Sequence, residues 1–327
     1  TKMVKRLKEN HSKIYEKEAG YLLDHCVGNA TIDKQMSELK PLFLEYASFA
    51  YKTIDIFNLR VDQLAYHGHL ELLKEGYRIG WRKVENSGDI MPWGIDEFAV
   101  RGSDFELFSY LQNAPNPRAD DELLINRIEY YVDLDKKHFN KYFSSITRPD
   151  APTWRYEDFD LNPKNLKKNE LSDYAHNISN LCNEFLDFMH IEGEKAYPKA
   201  ELMRTEITNY IIKRLHGDFE QHSKSRKRKP YNSIIVNVLC PDRSTLDQYL
   251  AQLMDLLSYR LYRALALYES IPYWLNFLEL NRLIDHFSHN EVYNSISFLY
   301  EDVERLIMQQ DFYDEFAINE LRAAWYS

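Results

Sequence analysis

The side chains able to do chemistry in this sequence fall into three short carboxylate–imidazole pairs. Asp135 and His138 stand three apart in YYVDLDKKHFNKYF, Asp173 and His176 repeat that spacing in ELSDYAHN, and Asp285 and His289 stand four apart. On a helix, separations of three or four put two side chains on one face, so each pair offers one oxygen and one nitrogen donor. Pairs from separate helices of a bundle can build a two-metal site for iron, manganese or zinc, with companions drawn from Glu129, Glu184, Glu269 or Glu279. Abundance argues the other way. With 11 His and 51 Asp+Glu, such pairs arise readily by chance, and a charged surface pair is the commoner outcome. The metal candidates are therefore Asp135, His138, Asp173 and His176; no ligand set is assigned and no cofactor is expected.

Arg282 and His289 lie nearly two helical turns apart. Their spacing resembles the Arg-x4-6-His arrangement of the higher-eukaryote and prokaryote nucleotide-binding (HEPN) ribonucleases, which are helical and often dimeric. The resemblance implies that Arg282 and His289 flank a scissile phosphate without a metal. It departs from the family where residue 283 is Leu instead of a polar residue, and it spans eight of 327 residues. Carboxylate-bundle oxidases carry Glu-x-x-His on two helices, where this chain has Asp. The Asp120–Asp121 pair in ADDELL resembles the diphosphate–magnesium motif of helical terpene synthases, but their second metal motif is missing from NEVYNSISFLYEDVE. Carboxylates meeting the free N–H groups of a helix start explain the pair more simply. No phosphate-cradling glycine loop, HExxH, nucleophile elbow or Cys–His pairing occurs.

A block of positive charge, Lys224, Arg226, Lys227, Arg228 and Lys229, precedes Pro230 and the β-branched run SIIVNVL. Such a block repels itself and belongs on a wet loop. It also resembles a nuclear-import signal and could attract phosphate backbones, although Tyr231 is the one aromatic residue beside it. The chain as a whole carries a formal charge of −10, so any nucleic-acid contact must be local.

The elements that must hold these residues are predominantly helical. Aromatic residues abound while Gly and Pro number 10 and 11, against turn-rich sheet folds. Apolar residues recur at intervals of three and four in most segments. The expected fold is mainly α, a multi-helical bundle or irregular helical array, with at most a minor strand near residues 233–239. Ser103 with Glu106 reads as a capping box opening a short helix. Ser244 or Thr245 caps a long Leu-rich stripe reaching Tyr268, Ser270 starts the next helix with Pro272 in its first turn, and Asn290 starts a third. The irregular run 146–169 suggests a linker or long surface loop between an N-terminal helical region, 1–145, and a larger C-terminal one, 170–327; a single continuous domain fits almost as well.

No eighteen-residue apolar stretch occurs, and three scattered cysteines suit a reducing compartment. An intracellular protein, cytoplasmic or nuclear, is expected, with no membrane contact. The leading functional expectation is a non-catalytic helical interaction or scaffold subunit with a protein partner or a homo-oligomeric state. The alternatives are a nucleic-acid-associated regulator acting through 224–229, and a helical enzyme, either an oxidase-like metal bundle or a ribonuclease using Arg282 and His289.

Overall fold

The computed structural model describes residues 2–147, 154–159, 168–219, 238–255, 259–308 and 313–326. Among these, every regular element is helical, so the fold is the mainly α array that the spacing predicts. In chain order the α-helices are α1 (Lys2–Asn10), α2 (Ser12–Ile32), α3 (Met36–Ala47), α4 (Ile54–Tyr66), α5 (Leu70–Val84), α6 (Pro92–Asn113), α7 (Glu122–Ile128) and α8 (Lys136–Ile146). There follow α9 (Lys168–Ile191), α10 (Tyr197–His216), α11 (Arg243–Leu253), α12 (Leu261–Leu280), α13 (His286–Ser297), α14 (Tyr300–Met308) and α15 (Glu315–Tyr326). The basic segment 224–229 and most of the expected strand lie outside the described residues; Val238 and Leu239 sit in a turn. No described helix is long and apolar enough to cross a membrane.

Two compact units form, Thr1–Ser144 with Ala196–Lys199 and Asp311–Phe316, and Ser145–Lys195 with Ala200–Gln310 and Ala317–Ser327. In the first, the core is an aromatic column. Phe57 stacks on Phe43 at 5.8 Å and on Phe98 at 5.9 Å, and Tyr77 stacks on Phe98 at 4.2 Å. The column takes one face of α5, leaving Arg78, Ile79 and Arg82 exposed on the other.

Helix α6 begins at Pro92, in the first turn where a missing N–H costs nothing, and runs straight through Ser103. The expected capping box does not form. The Ser103 hydroxyl donates back to the Val100 carbonyl at 2.7 Å, and Glu106 is buried against Arg78. A continuous buried face through Phe98, Phe105 and Phe108 outweighs the local cap signal. Asp121 does cap α7: its carboxylate accepts from the N–H groups of Leu123 and Leu124.

Also in the first unit, the His67 ring sits 2.8 Å from the Asp314 carboxylate and stacks parallel on His69 at 6.2 Å. Burial, reinforced by His67, pushes the His69 imidazole down to about 4 from 6.5.

The second unit is organised around α12, which is buried on nearly every side from Ala264 to Leu278. Ser270 and Pro272 lie inside this helix and do not start a new one. Proline at 272 leaves the Tyr268 carbonyl without its usual helical donor. The Trp325 indole N–H supplies the bond at 3.3 Å, and its ring stacks on Tyr268 at 4.7 Å. A partner supplied from α15 thus makes the interior proline tolerable. The Leu-rich stripe is divided into α11 and α12, and Asp242 rather than Ser244 or Thr245 caps α11, accepting from the Thr245 N–H at 3.0 Å.

Charge is buried here too. The Lys195 ammonium lies 3.1 Å from Glu269 and 2.8 Å from Glu320. Burial opposes its charge, but the two carboxylates outweigh that and hold its pKa above the usual lysine value. Glu206 on α10 likewise accepts from Tyr249 at 2.9 Å and Arg263 at 3.1 Å, joining α10, α11 and α12.

Replacing Trp325 by Phe keeps the stacking and removes the donor, so the Tyr268 carbonyl is left unsatisfied. Chemical denaturation should show a loss of about 1–3 kcal/mol; an unchanged midpoint would mean that the bond contributes nothing. His69 gives a pH test. Because the folded state binds the His69 proton less readily than the unfolded chain, its contribution to stability is complete above pH 6.5 and falls as pH drops toward about 4. Denaturation series at several pH values should show His69→Gln flattening that slope.

Candidate metal centre

The end of α12 and the start of α13 meet in a tight corner built by four local features. Glu279 occupies the last turn of α12. Arg282 follows with φ 58°, the left-handed backbone that reverses the chain. Leu283 is buried and anchors the turn. Asp285 then caps α13, its carboxylate accepting from the Ser288 N–H at 2.8 Å. The helix therefore begins at His286, one turn before the Asn290 start that the sequence suggests. This shift puts His286 and His289, three apart, in the first turn, facing back to Glu279.

Among the described residues, Glu279, His286 and His289 form a group whose donor atoms all lie within 4.8 Å of one another. One carboxylate oxygen of Glu279 is 3.0 Å from His286 Nδ1 and the other is 2.7 Å from His289 Nδ1. The side chains are graded in exposure, His286 at 77%, Glu279 at 33% and His289 at 15%. The His289 Nδ1 atom is shut off from solvent and, despite its closeness to Glu279, lacks the alignment of a hydrogen bond.

Two imidazole nitrogens and a carboxylate oxygen make a donor set suited to zinc and to other late divalent first-row metals. Ligands on a tetrahedral zinc, each about 2.0–2.1 Å from the ion, stand roughly 3.3 Å from one another. Both N···O separations must therefore widen by a few tenths of an ångström or more to admit it. Each Nδ1 must also present its lone pair, which places the imidazole proton on Nε2. Asn290 bears on this: its carboxamide nitrogen lies 3.0 Å from His286 Nε2. Rotated by half a turn, the same carboxamide offers oxygen and holds a proton on Nε2, as outer partners of ligand histidines do. Glu279 supplies the negative charge that offsets the positive end of α13.

The other candidates fall elsewhere. Asp135 caps the start of α8 and binds His138 Nδ1 at 2.7 Å, both side chains being exposed. Asp173 and His176 are exposed on α9. Of the proposed companions, Glu184 accepts from the Trp154 indole at 2.9 Å, Glu269 belongs with Lys195, and Glu129 is exposed. Arg282 is an exposed turn residue, and His289 is engaged with Glu279. Burial pushes the Cys182 and Cys240 thiols up to about 11, which makes both poor nucleophiles.

His286 is the member of this candidate group that the sequence pairs do not include. The signal for it was the His-x-x-His spacing of 286 and 289, once Asp285 is read as a helix cap instead of a metal donor. No protein-family model, curated protein or solved structure matches this chain.

Proposed function

We propose that the chain is a non-catalytic helical interaction protein whose α12–α13 corner is organised by one divalent metal, zinc by its donor set. The observation that carries this reading is the convergence of Glu279, His286 and His289 beside two exposed apolar side chains, Leu280 at 71% and Phe287 at 69%. Large apolar residues left in water next to a potential metal ligand set are a natural contact surface. Metal binding would fix the separation of the two helix ends, and with it the spacing of Leu280 and Phe287.

Three protein donors leave one tetrahedral position for a fourth ligand. A second copy of the chain, meeting the first through the same corner, can supply it and cover both apolar side chains in an isologous contact. This reading departs from the expectation that no cofactor is needed. The donor set also supports a second reading, because a free position on zinc is where a hydrolytic enzyme activates water.

Calorimetric titration should find one zinc ion per chain. His286→Ala, at an exposed position, should leave the metal-free fold intact and weaken zinc binding by roughly 100-fold or more. Sedimentation velocity should show zinc driving wild-type chains into dimers, with Phe287→Ser weakening the dimer but not the zinc site. Zinc binding with no change in association would favour the hydrolytic reading, and no zinc binding would refute both.

A further inference from the structure

The first unit holds a concave site of about 650 Å³ lined by Arg78, Ile79, Arg82, Asn126, Arg127 and Tyr130. Its volume falls within the range of small-ligand pockets. Helix α5 turns Arg78, Ile79 and Arg82 to the same side because positions i, i+1 and i+4 share a helix face. Asn126 and Arg127 come from α7, and Tyr130 follows just beyond it.

Three guanidinium groups in one concavity run against the sign of a chain whose formal charge is −10. They are not equally committed. Arg78 is held by the buried Glu106 carboxylate through two hydrogen bonds. Among the described residues the Arg82 guanidinium makes only a long contact, 3.4 Å, to the Tyr130 hydroxyl. Arg127 has no hydrogen-bonded or ion-paired partner among the described residues. Two forks are thus available to an anion, and a planar guanidinium matches phosphate oxygens two at a time.

Tyr130 adds a requirement that inorganic anions do not meet. Its ring is exposed, yet its position is fixed: the Tyr130 carbonyl accepts from the Trp81 indole at 2.9 Å, and the Tyr131 ring stands perpendicular to it at 5.0 Å. A held, exposed aromatic ring beside arginines is a stacking platform for a base. Ile79 supplies an apolar wall, and the exposed Asn126 carboxamide supplies both donor and acceptor for a base edge or sugar hydroxyl.

We propose that this concavity binds a nucleotide, with the phosphate on Arg82 and Arg127 and the base stacked on Tyr130. The nucleotide is either free or one residue of a single-stranded RNA. The site is independent of the metal corner.

The test uses the full chain with three probes: adenosine 5′-monophosphate, a fluorescein-labelled twelve-nucleotide single-stranded RNA, and inorganic phosphate. The variants are Arg82→Ala with Arg127→Ala, the same pair changed to Lys, and Tyr130→Ala. Saturable, salt-sensitive binding of the mononucleotide or of the RNA should fall at least tenfold in the double alanine variant. It should fall by a smaller factor in the lysine pair, and severalfold in Tyr130→Ala. Binding of the mononucleotide identifies a free ligand; binding of the RNA alone identifies a strand. The proposal is overturned if neither probe binds at low salt, or if binding survives the double alanine substitution. It is equally overturned if inorganic phosphate competes as well as the nucleotide, because the ring would then have no role.

Discussion

The burial of α12 is the constraint on which the second unit depends. A helix apolar on every side is stable only when other elements enclose it, and each polar atom that it carries inward must then find a partner there. Several of these pairings can be followed atom by atom. The Tyr268 hydroxyl donates to the Ile296 carbonyl of α13, and the Trp274 indole donates to the Leu239 carbonyl. The Tyr268 carbonyl freed by Pro272 accepts from Trp325 of α15. Phe185 of α9 packs edge-on against Trp274 at 5.1 Å. Glu269, fully enclosed, is tolerated because Lys195 neutralises it; a carboxylate left alone there would carry a desolvation cost of several kcal/mol.

A helix held this way fixes the place where it ends. Glu279 stands one residue before the end of α12, at the edge of the enclosed region, and the buried Leu283 together with the Asp285 cap determines where α13 begins. His289 is therefore presented to Glu279 by packing, with its Nδ1 shut off from solvent, while His286 is presented from the wet side. The metal reading draws its strength from that asymmetry. One donor is held inside, one is free to adjust, and a carboxylate bridges them.

Helical class was legible because three- and four-residue apolar spacing recurs through most of the chain, and Asp121 was legible as a cap because a carboxylate at a helix start meets free N–H groups. Boundaries were less so. Ser103 with Glu106 is a sound local signal for a helix start, but it lies inside a helix whose buried aromatic face began at Phe98. Pro272 reads as a first-turn proline because nothing nearby in sequence can rescue an interior one; the rescue comes from Trp325, distant in sequence. The same limitation hid the metal corner. Glu279 and His289 stand out in the sequence, but pairing Asp285 with His289 draws attention away from His286, and in the structure Asp285 caps α13. The arginine-lined concavity was hidden for a further reason. Its residues come from α5, from α7 and from just beyond α7, and only folding brings them to one surface.

X-ray absorption at the zinc edge of the zinc-loaded chain, in wild type and in His289→Ala, tests the metal corner most directly. The wild type should show two imidazole nitrogens and one carboxylate oxygen at about 2.0–2.2 Å from the zinc, and the variant one imidazole fewer. A shell without histidine, or one unchanged by the substitution, would contradict it.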